Sequence, residues 1–337
     1  MVGKIVRHLF GNELFGHLRL ALSGLAALAV LAACASATSP APSSDQDLQL
    51  QVVATTTILG DVVQQVGGEA IALRVLLPSG SDPHTFEPTP KDVAAISNAD
   101  LVIINGAGLE EFLARLLESA SAGGGELNVV SASEGIDLRT SADAHPEEDH
   151  PEEGELTSFD PHVWFDPHNV VIWTENIEQA LSAADPAHSQ TYAANAEAYR
   201  AELLELDEWI GTQVAQIPPE NRKLVTDHQT FGYFADRYGF VQVGAVIPGF
   251  SIASAPSAQE LAALQENISA LGARAIFVGS TVNPTIAERM ASDTGVQLVP
   301  LYTDSLTGPG GEASTYLELM RFDVQSIVAA LREPDGN

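Results

Sequence analysis

The chain has 337 residues, and 45% of them are hydrophobic, which is enough to build the cores of about two domains of ~150 residues each. It carries 45 Asp and Glu residues against 15 Lys and Arg residues, so its formal net charge is -30. Such an acidic surface repels phosphate backbones, which argues against nucleic acid as a partner, and it attracts cations.

Residues 1–33 have the pattern of a lipoprotein export signal. Three basic residues lead to an apolar run over residues 20–33, which is shorter than the ~20 residues that a transmembrane helix needs. The run reaches Cys34 through Leu-Ala-Ala, which resembles a bacterial lipobox, and we predict that Cys34 is lipidated. A plain signal peptide with an incidental cysteine is the alternative. Because Cys34 is the only cysteine of the chain, disulfides and thiolate metal ligands are excluded.

The following residues predict a tether and then a first lobe. Residues 34–47 are rich in Ser, Ala and Pro and should form a flexible tether. Residues 48–185 alternate between short apolar strands and amphipathic helices, which predicts an N-terminal α/β lobe. The predicted strands are 50–56, 73–77, 101–104 and 127–130, and the predicted helices are 59–66, 90–97 and 109–119. Within this lobe, residues 141–157 are acidic and lack apolar periodicity, so we expect a disordered loop there.

A long helix over residues 186–217 is predicted to connect this lobe to a second one. Its apolar residues recur every three or four positions, and at 1.5 Å per residue it would be ~45 Å long. Residues 218–337 then repeat the alternation as a C-terminal lobe, with predicted strands 223–226, 241–247, 275–278 and 296–302 and predicted helices 231–238, 258–271, 284–292 and 315–331. The sequence thus predicts an α/β fold of two lobes with mostly parallel sheets, joined by one long rigid α-helix.

Four possible metal ligands stand at the ends of these elements. His84, His228 and Asp304 follow predicted strands, and His162 precedes a helix. Ligands of open α/β sheets bind beyond the carboxyl ends of the strands, and each lobe supplies two of the four residues, so we expect a site in the cleft between the lobes. Three imidazoles and one carboxylate suit four-coordinate Zn²⁺, whereas Mn²⁺ favours more oxygen ligands; Cu²⁺ is not excluded by this chemistry. With all four positions filled by protein, carriage is favoured over catalysis.

Other residues could support such a site. Asp160, Glu87 and Asp227 are candidates for accepting the second N–H of a ligand histidine. Trp164 could pack over the site or belong to the ordinary core. In the acidic segment 141–157, His145 and His150 could gather metal ions, and the alternative is a solvated surface loop.

Four segments resemble the zinc- and manganese-binding lipoprotein receptors of ABC importers, over roughly residues 50–332. They are DPHTFEPTPKD at 82–92, DPHVWFDP at 160–167, DHQTFGYFADRYG at 227–239 and LYTDSL at 301–306. The resemblance implies two α/β lobes joined by one long helix, and metal binding by His84, His162, His228 and Asp304. Members specialised for manganese tend to carry Glu at the third position, so His228 points to the zinc branch, of which an acidic, His-rich insertion is also typical.

The chain departs from this family at two places. Gly279-Ser280 stands where relatives commonly have an acidic residue, and local hydrogen bonding is expected to differ there. His168 is an additional histidine beyond His162, and we interpret it as an N-terminal residue of the following helix rather than an accessory ligand.

The expected function is that of a receptor, not an enzyme. We expect a monomeric, extracytoplasmic protein, lipid-anchored to the cell membrane, that binds Zn²⁺ as transported ligand and delivers it to an ABC permease and its ATPase. The same role for manganese, iron or copper is the alternative, and a zinc-dependent enzyme or an adhesin is a further one. Because imidazolium cannot bind metal, we expect the affinity to fall as the pH drops through about 6.5.

Overall fold

The computed structural model describes residues 49–121, 127–140, 159–253 and 255–333. The predicted signal, Cys34 and the tether lie outside these residues, and so does the acidic segment 141–157 with His145 and His150. Among the helices of the described part, none is both long enough and apolar enough to cross a membrane.

The N-terminal lobe is built on a parallel sheet of four strands in the order β2-β1-β3-β4. The strands are β1 Leu50–Ala54, β2 Ile71–Val75, β3 Leu101–Ile104 and β4 Val129–Ser131. The helices are α1 Thr57–Gly67, α2 Pro90–Ser97 and α3 Leu113–Ser121. Strand β1 ends before the predicted limit because Thr56 caps α1, accepting a hydrogen bond from the Leu59 backbone.

Helix α3 begins four residues later than the sequence predicts, and a buried carboxylate explains the difference. Glu110 accepts hydrogen bonds from the backbone N–H groups of Asn105 and Gly106 and from the Thr55 hydroxyl, at 2.6, 3.0 and 2.7 Å. Its surroundings therefore fix a turn after β3 instead of a first helical turn. This turn joins the carboxyl ends of β1 and β3, the place where the strand order reverses.

In the amino-acid sequence, two helices come after the last strand of the first sheet and before the first strand of the second. Helix α4 spans Pro167–Ala184, and α5 spans Ser189–Val214, which at 1.5 Å per residue is ~39 Å long. The predicted start and end of α5 are 3₁₀ or turn residues instead, because Asp185 caps a short 3₁₀ turn over Pro186–His188 and the chain turns again before Pro218. The predicted apolar face of α5 is buried along its length: Tyr192, Ala196, Tyr199, Leu203, Leu206, Ile210 and Val214.

The C-terminal lobe repeats the topology of the first, with parallel strands in the order β6-β5-β7-β8. The strands are β5 Lys223–Thr226, β6 Val241–Ala245, β7 Ala275–Gly279 and β8 Gln297–Leu301. The helices are α6 Gly232–Tyr238, α7 Ala258–Leu271, α8 Thr285–Thr294 and α9 Tyr316–Leu331. Helix α7 ends where predicted because Gly272 adopts φ +65°, a left-handed conformation that caps the helix.

A single hydrophobic cluster extends through both lobes and the connecting helix. It contains Val52 of β1, Leu206 of α5 and Phe277 of β7, all buried. Polar contacts join the lobes as well, because the backbone N–H of Tyr316 donates to Asp61 and that of Leu306 donates to Thr57, both at 2.8 Å. The predicted two-lobed α/β fold is therefore confirmed, and the lobes share a core.

The two leucines of α5 at positions 204 and 206 provide a matched test of this shared core. Leu206 is fully buried and Leu204 is 48% exposed. We expect Leu206→Ala to lower the free energy of unfolding by about 2–5 kcal/mol, since it leaves a cavity in the shared core. Leu204→Ala should change it by less than about 0.5 kcal/mol. Urea denaturation measures both, and equal losses for the two variants would contradict the assignment.

Candidate metal centre

His84 lies in the loop between β2 and α2, and an aspartate turn fixes this part of the loop. The Asp82 carboxylate accepts hydrogen bonds from the His84 backbone at 3.1 Å and from the Thr85 hydroxyl at 2.5 Å. The Gly80 backbone also donates to Ser305 of the C-terminal lobe at 2.8 Å. His84 remains partly exposed, unlike the other candidate ligands.

His162 lies just before the 3₁₀ turn Val163–Phe165 and is fully buried. Asp160 orients it: one carboxylate oxygen accepts the His162 backbone N–H at 3.0 Å and lies 2.8 Å from Nδ1. The other oxygen of Asp160 is 3.8 Å from Nε of Arg139. The loop is held from the N-terminal lobe, because Nδ2 of Asn105 donates to the Pro161 carbonyl at 3.2 Å.

His228 follows β5 and is oriented by the residue before it. Asp227 Oδ1 lies 2.8 Å from Nδ1 of His228 and accepts its backbone N–H at 2.6 Å. The other oxygen, Oδ2, accepts the Gly279 backbone N–H from the end of β7 at 2.5 Å. His228 and its aspartate are both buried. In both buried histidines, therefore, an aspartate faces Nδ1 and leaves Nε2 directed toward the cleft.

Asp304 lies three residues beyond β8 and is 2% exposed. Its Oδ2 accepts hydrogen bonds from the hydroxyls of Thr303 and Thr281, at 2.6 and 3.0 Å. Its Oδ1 is buried and has no hydrogen-bond partner among the residues that the structure describes. That oxygen faces the imidazoles, 3.8 Å from Nε2 of His162 and 4.0 Å from Nε2 of His228.

The four candidate ligands converge as the sequence predicts. Nε2 of His162 lies 3.3 Å from Nε2 of both His84 and His228, and the ligand atoms of the four residues are all within 4.8 Å of one another. Three ring nitrogens and an unpartnered carboxylate oxygen in one buried space fit a four-coordinate cation such as Zn²⁺. The two residues from each lobe make this an interlobe site.

The supporting residues fall into two groups. Asp160 and Asp227 occupy the predicted orienting positions, whereas Glu87 is exposed and makes no hydrogen bond with a described imidazole, so the structure gives it no such role. Trp164 is buried with its ring 5.3 Å from that of His162, and its Nε1 donates to the Thr303 carbonyl at 3.0 Å. It therefore covers the site and belongs to the core at once.

Two contributors could not be identified from the sequence, and one extra histidine lies elsewhere. The hydroxyls of Thr281 and Thr303 hold Asp304, but isolated threonines in loops carry no distinctive sequence signal. His168 is the second residue of α4 and is 45% exposed at its side chain, with Nε2 2.9 Å from Arg237 Nη2. It is not part of the convergent cluster.

Burial and neighbouring charges separate the pKa values of the three imidazoles. Burial lowers the pKa of His84 and, together with the two other histidines, lowers that of His162 well below its usual value. Burial also lowers the pKa of His228, but the carboxylates of Asp227, Asp304 and Asp82, with Asp227 the largest contributor among them, together raise it to about 9. Burial raises the pKa of Asp160 to about 7. At neutral pH, His228 therefore holds a proton that a metal ion must displace.

A two-lobed α/β fold with a buried nitrogen-and-oxygen ligand set between its lobes defines a metal-binding protein. The chain belongs to the family described as "ZnuA: Zinc-uptake complex component A periplasmic", which matches residues 52–330. This membership confirms the predicted extracytoplasmic receptor class and the prediction that the protein is not an enzyme.

Relatives within this family are named for different metals. The manganese-binding lipoprotein MntA of Halalkalibacterium halodurans is 35% identical over 292 residues, which cover 86% of this chain and 91% of the relative. The iron ABC transporter substrate-binding lipoprotein MtsA of Streptococcus pyogenes is 30% identical, covering 93% of this chain and 97% of the relative. The solved structure of the periplasmic zinc-binding protein TroA of Treponema pallidum has a TM-score of 0.73 and 30% identity, covering 84% of this chain and 99% of that chain. The family is therefore certain, whereas the metal is not given by similarity.

The raised pKa of His228 predicts when metal affinity falls with pH. The protonated ring competes with the ion, so affinity is greatest above a pH of about 9 and weakens as the pH falls. From this group alone, the apparent Kd should rise about tenfold for each pH unit below that point. Affinity therefore begins to fall at a higher pH than the sequence analysis expects, because that expectation uses the pKa of a histidine with no aspartate beside it.

Chelator-competition titrations between about pH 8 and pH 6 measure this dependence, and calorimetry in buffers of different ionisation enthalpy counts the released proton. His168→Ala is the control, since its ring bonds to Arg237 outside the cluster, and it should leave the dependence unchanged. A constant Kd over this range would show that no imidazole proton is displaced.

Proposed function

We propose that the protein is the high-affinity zinc receptor of an ABC importer and delivers Zn(II) to the permease and its ATPase. The observation that carries this proposal is the convergence, all within 4.8 Å, of three Nε2 atoms and one carboxylate oxygen that has no hydrogen-bond partner in the described part of the chain. Zn²⁺ accepts such a ligand set in a closed tetrahedron. The ligands would be His84, His162, His228 and Asp304.

The main alternative is the same role for manganese or iron, which relatives carry in their names. Mn²⁺ prefers carboxylate, carbonyl and water oxygens in octahedral geometry, and this cluster contains a single carboxylate group. His228 supplies nitrogen at a position where one more carboxylate would suit manganese better. The ligand chemistry therefore supports zinc, and copper is the competitor that the affinity order favours.

A direct test compares zinc and manganese in the protein and in one altered ligand set. His228→Glu converts the three-nitrogen set to two nitrogens and two carboxylates, so the preference for zinc over manganese should fall at least about tenfold. The control, His168→Glu, adds the same charge outside the cluster and should leave the preference unchanged. Equilibrium dialysis against both metals gives the ratio, and anomalous scattering from metal-loaded crystals identifies the element and its ligands.

The wild-type protein should retain one zinc ion per chain through gel filtration and lose manganese. Stoichiometric retention of manganese from a mixture that contains zinc would overturn the assignment in favour of the manganese role. Metal at a place other than the four ligands would overturn the site itself.

Two further parts of the proposal concern residues outside the described ranges. We infer that Cys34 carries the lipid anchor, in keeping with the word lipoprotein in the names of relatives, and that residues 34–47 tether the lobes 48–185 and 218–337 to the membrane. We also infer that His145 and His150 gather zinc. The described residues that flank this segment, Thr140 and Phe159, pair as an antiparallel bridge, and Phe159 lies three residues before His162.

Two variants test these parts. Cys34→Ala should move the protein from the membrane fraction to the soluble fraction, because one covalent anchor is lost.

Deletion of residues 143–155 should slow zinc loading at scarce metal and leave the equilibrium Kd of the cleft nearly unchanged, since the four cleft ligands are untouched. Unchanged loading rates in stopped-flow measurements would contradict the metal-gathering role of this segment. A Cys34→Ala protein that stays in the membrane fraction would contradict the lipid anchor at Cys34.

A further inference from the structure

The two oxygens of the Asp304 carboxylate have opposite surroundings. Oδ2 accepts two hydroxyl hydrogen bonds, from Thr303 at 2.6 Å and from Thr281 at 3.0 Å. Oδ1 is buried without a hydrogen-bond donor among the described residues and faces the ring nitrogens of His162 and His228. The carboxylate is thus held by one oxygen and leaves the other free for an ion.

The hydroxyl groups are themselves held in place. Thr303 is 1% exposed, and its carbonyl accepts the indole N–H of Trp164 at 3.0 Å. Thr281 follows β7 in the segment Gly279-Ser280-Thr281. A Cβ atom at Gly279 would overlap the Thr303 hydroxyl, so the absence of a side chain there is what admits this hydroxyl beside the carboxylate. The departure at Gly279-Ser280 therefore has a structural consequence.

We propose that Thr281 and Thr303 are specificity-determining positioning residues, which confine Asp304 to one-oxygen coordination. Hydrogen bonds to an ionised carboxylate are the stronger kind, and two of them on Oδ2 oppose the rotation that would bring both oxygens to the ion. Together with three nitrogens, a carboxylate that binds through one oxygen gives four tetrahedral ligands, which is the coordination that suits zinc. A two-oxygen carboxylate would raise the coordination number, which suits manganese. This inference rests on the proposed zinc function.

Thr281→Val tests the inference, because valine keeps the shape of threonine and removes the hydroxyl. The ratio of the manganese Kd to the zinc Kd should fall about tenfold, mainly through tighter manganese binding. X-ray absorption of the manganese-loaded variant should show a higher coordination number than the manganese-loaded wild type. Thr294→Val is the matched control, since its partly buried hydroxyl on α8 bonds to the Met290 carbonyl away from the site.

Thr303 provides a second, independent variant. Thr303→Ser keeps the hydroxyl and should preserve the wild-type ratio, whereas Thr303→Val should lower it as Thr281→Val does. Wild-type ratios and coordination numbers in both valine variants, with both folded by circular dichroism, would overturn the positioning role while leaving zinc binding intact. Two-oxygen coordination by Asp304 in the zinc-loaded wild type would also overturn it. Failure of the wild type to bind zinc at all would overturn the proposed function, and this inference with it.

Discussion

A carboxylate oxygen buried without a hydrogen-bond donor is unfavourable, and Oδ1 of Asp304 has no donor among the residues that the structure describes. It shares its space with three imidazoles, two of which point Nε2 inward because aspartates face their Nδ1 atoms. A cation among these atoms satisfies the oxygen and the nitrogens together. The loops, caps and interlobe hydrogen bonds of the structure keep four residues, which are separated by up to 220 positions in the sequence, at the distances that this interaction requires.

The shared hydrophobic core explains how a site built from two lobes keeps its geometry. Each sheet has the same strand order, and each sends loops from its carboxyl ends toward the other lobe. Helix α5 packs into the same cluster as strands of both sheets, and hydrogen bonds such as that from the Tyr316 backbone to Asp61 join the lobes. A rearrangement of one lobe against the other would therefore disturb buried packing, so small loop movements cost less than large lobe rotations.

The sequence predicts regular elements well where local signals are strong, as at α2, where Thr89 and Asp92 form a capping box, and at α7, which Gly272 ends. It fails at α3, because the carboxylate of Glu110 is captured by backbone groups that only the tertiary fold brings near. The ligands were predictable because three of them follow strands. The residues that orient the ligand histidines could not be chosen from the sequence. Glu87, Asp160 and Asp227 all lie close to ligands in the sequence, and only the folded loops decide which carboxylate faces Nδ1.

The hydroxyls on Asp304 show a further limit of sequence reasoning. Thr281 and Thr303 come from loops after different strands, and their proximity depends on the missing side chain of Gly279, the last residue of β7. No periodicity or motif records a contact of this kind. It is visible only once the register of β7 against β8 places Gly279 opposite Leu301.

His84 differs from its three partners in one respect that bears on traffic through the cleft. His162, His228 and Asp304 are sealed from solvent, whereas His84 is the residue of the four that retains partial exposure. Moving the loop that carries His84 would therefore disturb less buried packing than moving any of the other three ligands.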